Sequence, residues 1–436
     1  MNARRGAASR SAPFRRPSGR LALPVSLRLP AHRASSATLA AAYPFLAARP
    51  CTTGALVGMD ALTGGPFCFD PWALYAAGDL TNPNVVLAGV IGQGKSALAK
   101  SVAVRAIANG RRVYVPGDPK GEWAPVADAV GGVVVRLRAG GATRLNPLDA
   151  HGMHPDQAHG PRLRLLTALS ESTLRRDLRP AEHGALDAAM TAVEHRPHPT
   201  LPDVVAALAE PTTSSRRARD VPVFALAEDG RDLVHGLRRL IRGDLAGLFD
   251  GPSTQVLDAS APMTVLDLSG LGSNDEALAL AMTCASGWLE HALTSATAKR
   301  WVIYDEAWRL LRSVPAVRRM QAQWKLSRAY GIANLMILHR LSDLDAVGAA
   351  GTEARALADG LLADCSTRIV YRQESDQLAA TQTALGLTAP ERDLLPALGR
   401  GTGLWKMPRR THVVHHHLTG AELALFDTDA AMREVI

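Results

Sequence analysis

Residues 89–96 have the types and spacing that bind phosphate. The segment Gly-Val-Ile-Gly-Gln-Gly-Lys-Ser fits the pattern GxxxxGK[ST], and it lies between the apolar run Asn84–Ala88 and a helical pattern that begins at Lys95. Glycines let the backbone N–H groups of such a loop turn toward phosphate oxygens at the positive end of the helix. The sequence therefore predicts a nucleotide-binding loop, with Gly89, Gly92, Gln93, Gly94, Lys95, Ser96 and Ala97 as its binding residues.

Two side chains of this loop have predicted roles of their own. Lys95 is expected to reach the β- and γ-phosphates of ATP, where it also serves catalysis by neutralising charge. The hydroxyl of Ser96 is expected to bind Mg²⁺. ATP and Mg²⁺ are therefore the predicted cofactors.

A pair of acidic residues follows a second apolar run, Trp301–Tyr304. Asp305 is expected to bind Mg²⁺ through water, and Glu306 to polarise the water that attacks the phosphate. Asp267, at the end of the apolar run Met263–Leu268, is an alternative to Asp305 that lacks an adjacent acid.

The segment Asp118–Trp123, with the sequence DPKGEW, comes directly after a predicted strand at Arg112–Val115. In a parallel sheet this places it at the carboxyl edge, where ligands bind. Lysine is scarce in this chain. A lysine between two acids at this edge therefore favours a functional role for the segment over a merely solvated turn. The lysines are Lys95, Lys100, Lys120, Lys299, Lys325 and Lys406.

The elements that position these residues alternate between short apolar strands and helical patterns. This alternation predicts an α/β fold with a doubly wound, mainly parallel sheet. Together with the phosphate-binding motif at residues 89–96, it indicates a fold of the P-loop NTPase (RecA-like) type. Residues 51–150 and 249–436 are expected to form the two parts of the ATPase domain, and 151–248 a helical insertion without strand patterns. Residues 1–50 are expected to be a flexible basic tail.

Composition and charge narrow the class of protein. The 436 residues carry a net charge of +8, but the first fifty contain nine arginines and no Asp or Glu, so the remainder is close to neutral. A broad nucleic-acid-binding face is therefore not indicated. No run of ~18 apolar residues predicts a membrane-spanning helix. The four cysteines show no metal-ligand spacing and are expected to be reduced thiols of a cytoplasmic protein.

Several further motifs carry a resemblance to a known family. DPKGEW, RLNPLD, LAGLFDGPS, LDLS and IYDEAWRLL occur in an order that resembles the HerA–FtsK superfamily of motor ATPases. They look most like the conjugative-transfer ATPases of type IV secretion, the VirB-four class, from about Gly54 to the C-terminus. The resemblance implies Mg²⁺-dependent ATP hydrolysis and a homo-oligomer in the form of a hexameric ring. It also implies secretion or conjugation channel proteins as partners and peripheral contact with the inner face of the membrane.

The resemblance also implies roles for residues outside the two motifs above. The strand Leu335–Leu338 is followed by His339, where the class usually has a glutamine that senses the γ-phosphate, and histidine donates a hydrogen bond as glutamine does. An arginine supplied by the neighbouring subunit is implied as well. Arg368 and Arg372 are the first candidates, and Arg328 is a less favoured one.

Three functions are consistent with these motifs. A secretion or conjugation motor is the first. A DNA-translocating ATPase, either a coupling protein or a HerA/FtsK-like pump, is the second, although the near-neutral folded part gives little support for a basic pore. The third is a nucleotide-switched scaffold with weak hydrolysis, against which Glu306 argues and which His339 leaves open.

Overall fold

A computed structural model shows how these elements assemble. It describes residues 51–138, 140–149, 155–212, 222–243, 245–255, 258, 260–272, 275–295, 298–307, 309, 313–339 and 352–426. The predicted basic tail, residues 1–50, lies outside the described residues.

One sheet of eleven strands forms the centre of the described part. Its strands are β1 (Ala55–Asp60), β2 (Pro66–Phe69), β3 (Val85–Ala88), β4 (Arg112–Asp118), β5 (Val133–Arg138), β6 (Met263–Gly270), β7 (Arg300–Tyr304), β8 (Ile332–Leu338), β9 (Thr367–Val370), β10 (Thr402–Met407) and β11 (Arg410–His416). Their order across the sheet is β2-β1-β11-β10-β9-β3-β8-β7-β4-β6-β5.

The strands from β9 to β5 in this order run parallel, and those from β2 to β10 pair antiparallel. All four residues of β3 are buried, as expected for a strand covered on both faces. The prediction of a mainly parallel α/β sheet is confirmed. The antiparallel end consists of the β1–β2 and β10–β11 hairpins, joined through β1 and β11.

Helices cover both faces of the sheet. They are α1 (Pro71–Ala76), α2 (Lys95–Ala108), α3 (Ala124–Ala129), α4 (Pro155–Leu174), α5 (Pro180–Val193), α6 (Leu201–Ala209), α7 (Val223–Asp229), α8 (Arg231–Arg242), α9 (Asp275–Ser295), α10 (Val314–Leu326), α11 (Glu353–Ala363), α12 (Leu378–Leu385), α13 (Ala389–Leu394) and α14 (Gly420–Phe426). One apolar core lies under α2 and α3, and the other under α9, α10 and α11. The fold is therefore doubly wound.

The described part of 151–248 contains α4 to α8. Their apolar faces belong to the same core as the sheet residues Leu266 and Leu268, so this helical segment is packed continuously onto the sheet. The boundaries of the predicted insertion stay predictions. Within the described ranges, no helix combines the length and the apolar character needed to cross a membrane.

Candidate active site

The parallel order brings the sequence-predicted residues to one edge of the sheet. Strands β9, β3, β8 and β7 are consecutive in the sheet and parallel, so their carboxyl ends lie at the same edge. The residues that follow them are Gly89, Asp305, His339 and Tyr371. Ligands of doubly wound sheets bind at this edge.

The loop after β3 has the backbone geometry of a phosphate-binding loop. Gly92 and Gly94 have φ angles of +80° and +95°, in the left-handed region where glycine carries no steric penalty. Gly94 precedes the first residue of α2, so Ser96 and Ala97 lie in the first turn of that helix. The amino group of Lys95 donates to the carbonyl oxygens of Gly89 at 2.6 Å and Val90 at 2.9 Å.

The loop is held from its other side by β9 and by the turn before β10. The carbonyl oxygen of Ala88 accepts from the Tyr371 N–H at 2.8 Å, and the Val90 N–H donates to the carbonyl of Arg372 at 3.1 Å. The Gly401 N–H donates to the carbonyl of Gln93 at 3.0 Å. These bonds hold the loop in place at the sheet edge.

Asp305 is a buried carboxylate at the end of β7. The indole N–H of Trp123 donates to its Oδ2 at 2.9 Å, and the Glu306 N–H donates to its Oδ1 at 3.1 Å. Burial is the main cause that raises the pKa of Asp305, and the neighbouring carboxylates of Glu306 and Glu122 add to it. Without a nearby cation, a carboxylate buried in this way favours its neutral form, because its charge is poorly solvated. A bound cation would compensate that charge, so the position suits a cation-binding site.

Glu306 has a different environment from its neighbour. Its φ is +54°, which is strained for a residue with a side chain. His339 Nε2 donates to its Oε1 at 2.8 Å, and the ammonium of Lys120 contacts the same oxygen. Burial alone would raise the pKa of Glu306, but the contacts with His339 and Lys120 outweigh burial and lower it.

Lys120 is a site residue that received no role from the sequence. The sequence signals were its rarity, its position between two acids and its place at the carboxyl edge of the sheet. Its contact with Glu306 could not be predicted, because that contact joins two distant segments of the chain. It belongs to a loop in which the Asp118 carboxylate accepts the backbone N–H groups of Lys120, Glu122 and Trp123. Burial, with the nearby Asp267 and Asp305, raises the pKa of Asp118 to about 6.

The strand order separates the two candidates for the magnesium aspartate. Asp305 follows β7, which is two strands from the phosphate-loop strand β3, whereas Asp267 lies on β6, four strands from it. At about 4.8 Å between strands, these offsets are about 10 Å and about 19 Å. Asp267 accepts instead from the backbone N–H and hydroxyl of Ser269. The order favours Asp305.

The candidate arginines lie in three different environments. Arg372 is 44% exposed beside the phosphate loop, with its Nη2 at 3.6 Å from Glu374 Oε1. Arg368 donates to the carbonyl of Leu385 in its own chain at 2.7 Å. Arg328 precedes the start of β8 and therefore lies at the opposite edge of the sheet from the site.

Gln373 was also not foreseen. It follows Arg372 and is fully buried. Neither of its amide atoms has a hydrogen-bond partner in the described part of the chain. A buried amide left unpaired is unusual, and its position beside the phosphate loop marks it as a polar group of this edge.

No protein-family model matches this sequence, and neither does any curated protein. The fold is similar to that of VirB4 of Thermoanaerobacter pseudethanolicus, with a TM-score of 0.70 and 23% identity over 85% of this chain and 98% of that chain. It is also similar to the bacterial conjugative coupling protein TrwBdeltaN70 in complex with sulphate, with a TM-score of 0.56 and 12% identity over 88% and 93% of the two chains. The plasmid coupling protein TrwB in complex with ADP and Mg²⁺ gives a TM-score of 0.57 at 12% identity and the same coverage. At these identities the likeness establishes the P-loop NTPase fold.

Proposed function

We propose that this chain is an ATP-hydrolysing motor of the kind that energises conjugative transfer and type IV secretion. The observation that carries the proposal is the meeting of the loop Gly89–Ser96 with Asp305, Glu306 and His339 at one sheet edge. The likeness in fold to VirB4 supports this choice among P-loop ATPases.

The residues present fit ATP and Mg²⁺. The positive φ angles of Gly92 and Gly94 open a backbone cradle at the N-terminus of α2, which suits phosphate oxygens. Lys95 lies over this loop and would bind the β- and γ-phosphates. Ser96 and the buried Asp305 would hold Mg²⁺, directly and through water. When bound, Mg²⁺ would neutralise charge on the phosphates.

Glu306 and His339 would act on the attacking water and the γ-phosphate. Because its pKa is held below the usual range, Glu306 is ionised at neutral pH, and it orients and polarises the water. His339, in contact with Glu306, would replace the usual glutamine as the sensor of the γ-phosphate. As the water oxygen bonds to the γ-phosphorus, the bond from that phosphorus to the β–γ bridging oxygen would break and ADP would leave, while the water proton passes toward Glu306.

Assembly and partners belong to the same proposal. A hexameric ring would place a neighbour's arginine at the site, with Arg372 or Arg368 as the candidates. Type IV secretion or conjugation channel proteins would be the partners, and contact with the membrane would be peripheral. Arg372 is the better placed of the two, because the Arg368 guanidinium donates to Leu385 of its own chain.

DNA translocation is the second candidate function. The likeness to the coupling protein TrwB favours it, at a TM-score of 0.57. The two candidates share the hydrolysis step and differ in the polymer that stimulates it. A DNA pump hydrolyses ATP faster when DNA is added, and this stimulation falls with salt concentration. A secretion motor without a DNA substrate does not show this response.

ATP hydrolysis by the purified chain, measured as phosphate release with Mg²⁺, tests the proposal. Lys95→Ala should abolish turnover with an unchanged unfolding midpoint, and Glu306→Gln should still bind ATP and hydrolyse it ~100-fold more slowly. Lys325→Ala, which removes an exposed lysine of α10, is the matched control and should have parental activity. ATP binding by the parent without turnover would favour the scaffold, and no binding would overturn the proposal.

A further inference from the structure

The loop Asp118–Trp123 contacts both acidic residues after β7 and the helix that follows the phosphate loop. Trp123 donates to Asp305, and Lys120 contacts Glu306. Glu122 Oε2 accepts from the ammonium of Lys100 at 3.1 Å, and Lys100 is a fully buried residue of α2, the helix that follows the phosphate loop. One short loop therefore links the phosphate-binding helix to both acidic residues after β7.

The backbone of this loop is fixed by its own side chains. The Asp118 carboxylate accepts three backbone N–H groups of the loop, at 2.8 to 3.3 Å. Gly121 has a φ of +71°, and a Cβ at this position would lie 3.3 Å from Ser269 Oγ. The fully buried indole of Trp123 fixes the end of the loop in the core. The backbone of Lys120 is therefore fixed in a position from which its side chain contacts Glu306.

Lys120 has little packing role of its own. Its side chain is 49% exposed, whereas that of Glu306 is 5% exposed. The lysine therefore reaches inward to a buried carboxylate instead of toward solvent. Glu306 also has a strained backbone with a φ of +54°, and strain of this kind persists only where neighbouring contacts hold it. Lys120 and His339 supply two of those contacts on one oxygen.

We propose that Lys120 is a positioning residue for ATP hydrolysis. It fixes the Glu306 carboxylate between itself and His339 in the orientation that directs it at the attacking water, and it ties that orientation to α2 through the loop Asp118–Trp123. This inference rests on the proposed hydrolytic function, and it adds a residue to the site. Lys120 acts through Glu306, not on the nucleotide.

The variants Lys120→Ala and Lys120→Arg test the proposal. Lys120→Ala should lower kcat at least ~10-fold, and the Kd of a fluorescent ATP analogue should stay within about threefold of the parent, because the phosphate loop is untouched. Lys120→Arg keeps the charge and the reach, and it should recover part of the lost kcat. Lys325→Ala is the control for loss of a lysine, and the unfolding midpoint of each variant shows whether the fold is intact.

A double-mutant cycle with Glu306→Gln separates positioning from direct contact. If Lys120 acts through Glu306, Lys120→Ala should change kcat by less than ~3-fold in the Glu306→Gln background. An equal loss of kcat in both backgrounds, or a large loss of analogue binding, would show that Lys120 contacts the nucleotide and would overturn the proposal. Parental kcat in Lys120→Ala would overturn it as well. A parent without turnover would instead contradict the proposed function.

Discussion

Asp305 and Glu306 are adjacent in sequence and have opposite electrostatic environments. Burial raises the pKa of Asp305, whereas His339 and Lys120 outweigh burial and lower the pKa of Glu306. Opposite shifts in neighbouring acids are the usual way in which a site gives two carboxyl groups two roles. The opposite shifts agree with the proposed division of roles, in which Asp305 would bind the cation and Glu306 would direct the water.

His339 provides a residue-scale prediction, since it donates to Glu306 at 2.8 Å at a position where the conjugative-transfer ATPases that the sequence resembles usually have glutamine. His339→Gln should keep turnover within about threefold of the parent, because glutamine donates the same kind of hydrogen bond. His339→Ala should lower kcat ~10-fold or more, as loss of an active-site donor does. Steady-state phosphate release measures both, and equal loss in the two variants would show that the imidazole has a role that an amide does not provide.

At the scale of elements, the contact between β3 and β9 fixes the start of the phosphate loop. A Cβ at Gly89 would lie 2.6 Å from the Cβ of Tyr371, and both atoms are fixed to backbone that cannot rotate away. A Cβ at Gly92 would meet no atom within 4 Å, although its φ is +80°. The two glycines therefore have different roles. Gly89 allows β3 and β9 to pack closely, whereas Gly92 allows the loop to adopt a positive φ and leaves space beside its backbone.

This difference predicts separate effects of two alanine substitutions. Gly89→Ala should destabilise the fold by ~1–3 kcal/mol, because β3 and β9 must move apart. Gly92→Ala should cost only ~1 kcal/mol in strain but should weaken ATP-analogue binding, since the added methyl group narrows the cradle. Gly78→Ala, with a φ of +76° and open space around it, is the matched control for strain away from the site. Urea unfolding and analogue titration measure the effects, and weak binding in Gly78→Ala would contradict the argument.

The helix α14 is fastened to α2 by Glu422. Its carboxylate accepts from Arg105 Nε at 2.8 Å and Nη2 at 2.7 Å, and from the Thr419 N–H at 2.8 Å. Burial would raise the pKa of Glu422, but the contacts with Arg105 and Thr419 outweigh it and lower the pKa to about 2. The contribution of the ionised Glu422 carboxylate to the stability of the fold is therefore complete above the pKa that Glu422 has in the unfolded chain, near 4.5. This contribution is lost as the pH falls toward 2.

Glu422→Gln should therefore lower the free energy of unfolding by ~1–3 kcal/mol at pH 7 and by less at pH 3. The control is Glu210→Gln, an exposed acid at the end of α6 whose loss should change stability by a few tenths of a kcal/mol. Urea unfolding at the two pH values measures the difference. An equal loss at pH 7 and pH 3 would contradict an ionic role for Glu422.

At the scale of the whole molecule, the proposed ring predicts that sites depend on neighbouring subunits. Arg372 lies beside the phosphate loop of its own chain. This position allows it to act on the site of its own subunit as well as on that of a neighbouring subunit. The two possibilities are distinguished by mixing variants. An arginine acting in trans is worth ~10³-fold or more in rate.

Mixing Lys95→Ala protein with Arg372→Ala protein should recover turnover, because some interfaces of a mixed ring contain both intact residues. The same mixture with Arg368→Ala tests the second arginine. Turnover per subunit should also fall on dilution, and sedimentation should show a nucleotide-dependent shift to larger species. No recovery with either arginine, together with undiminished turnover at high dilution, would contradict the ring and leave an ATPase that acts as a monomer.

The sequence by itself determined the elements and the local motifs of this protein. The apolar run before Gly89 and the one before Asp305 are strands because they match buried parallel strands in length, and the loop Gly89–Ser96 is defined by its own glycines and lysine. Such features depend on neighbouring residues along the chain. They were therefore predicted without knowledge of what packs beside them.

Only the tertiary structure decided which strands are neighbours. Several buried runs of similar length would fit any central position, so the strand order depends on how the whole chain packs. That order places Asp305 two strands from β3 and Asp267 four strands from it. It also brings Lys120 to Glu306 and leaves Arg328 at the opposite edge, because contacts between distant segments depend on the completed sheet.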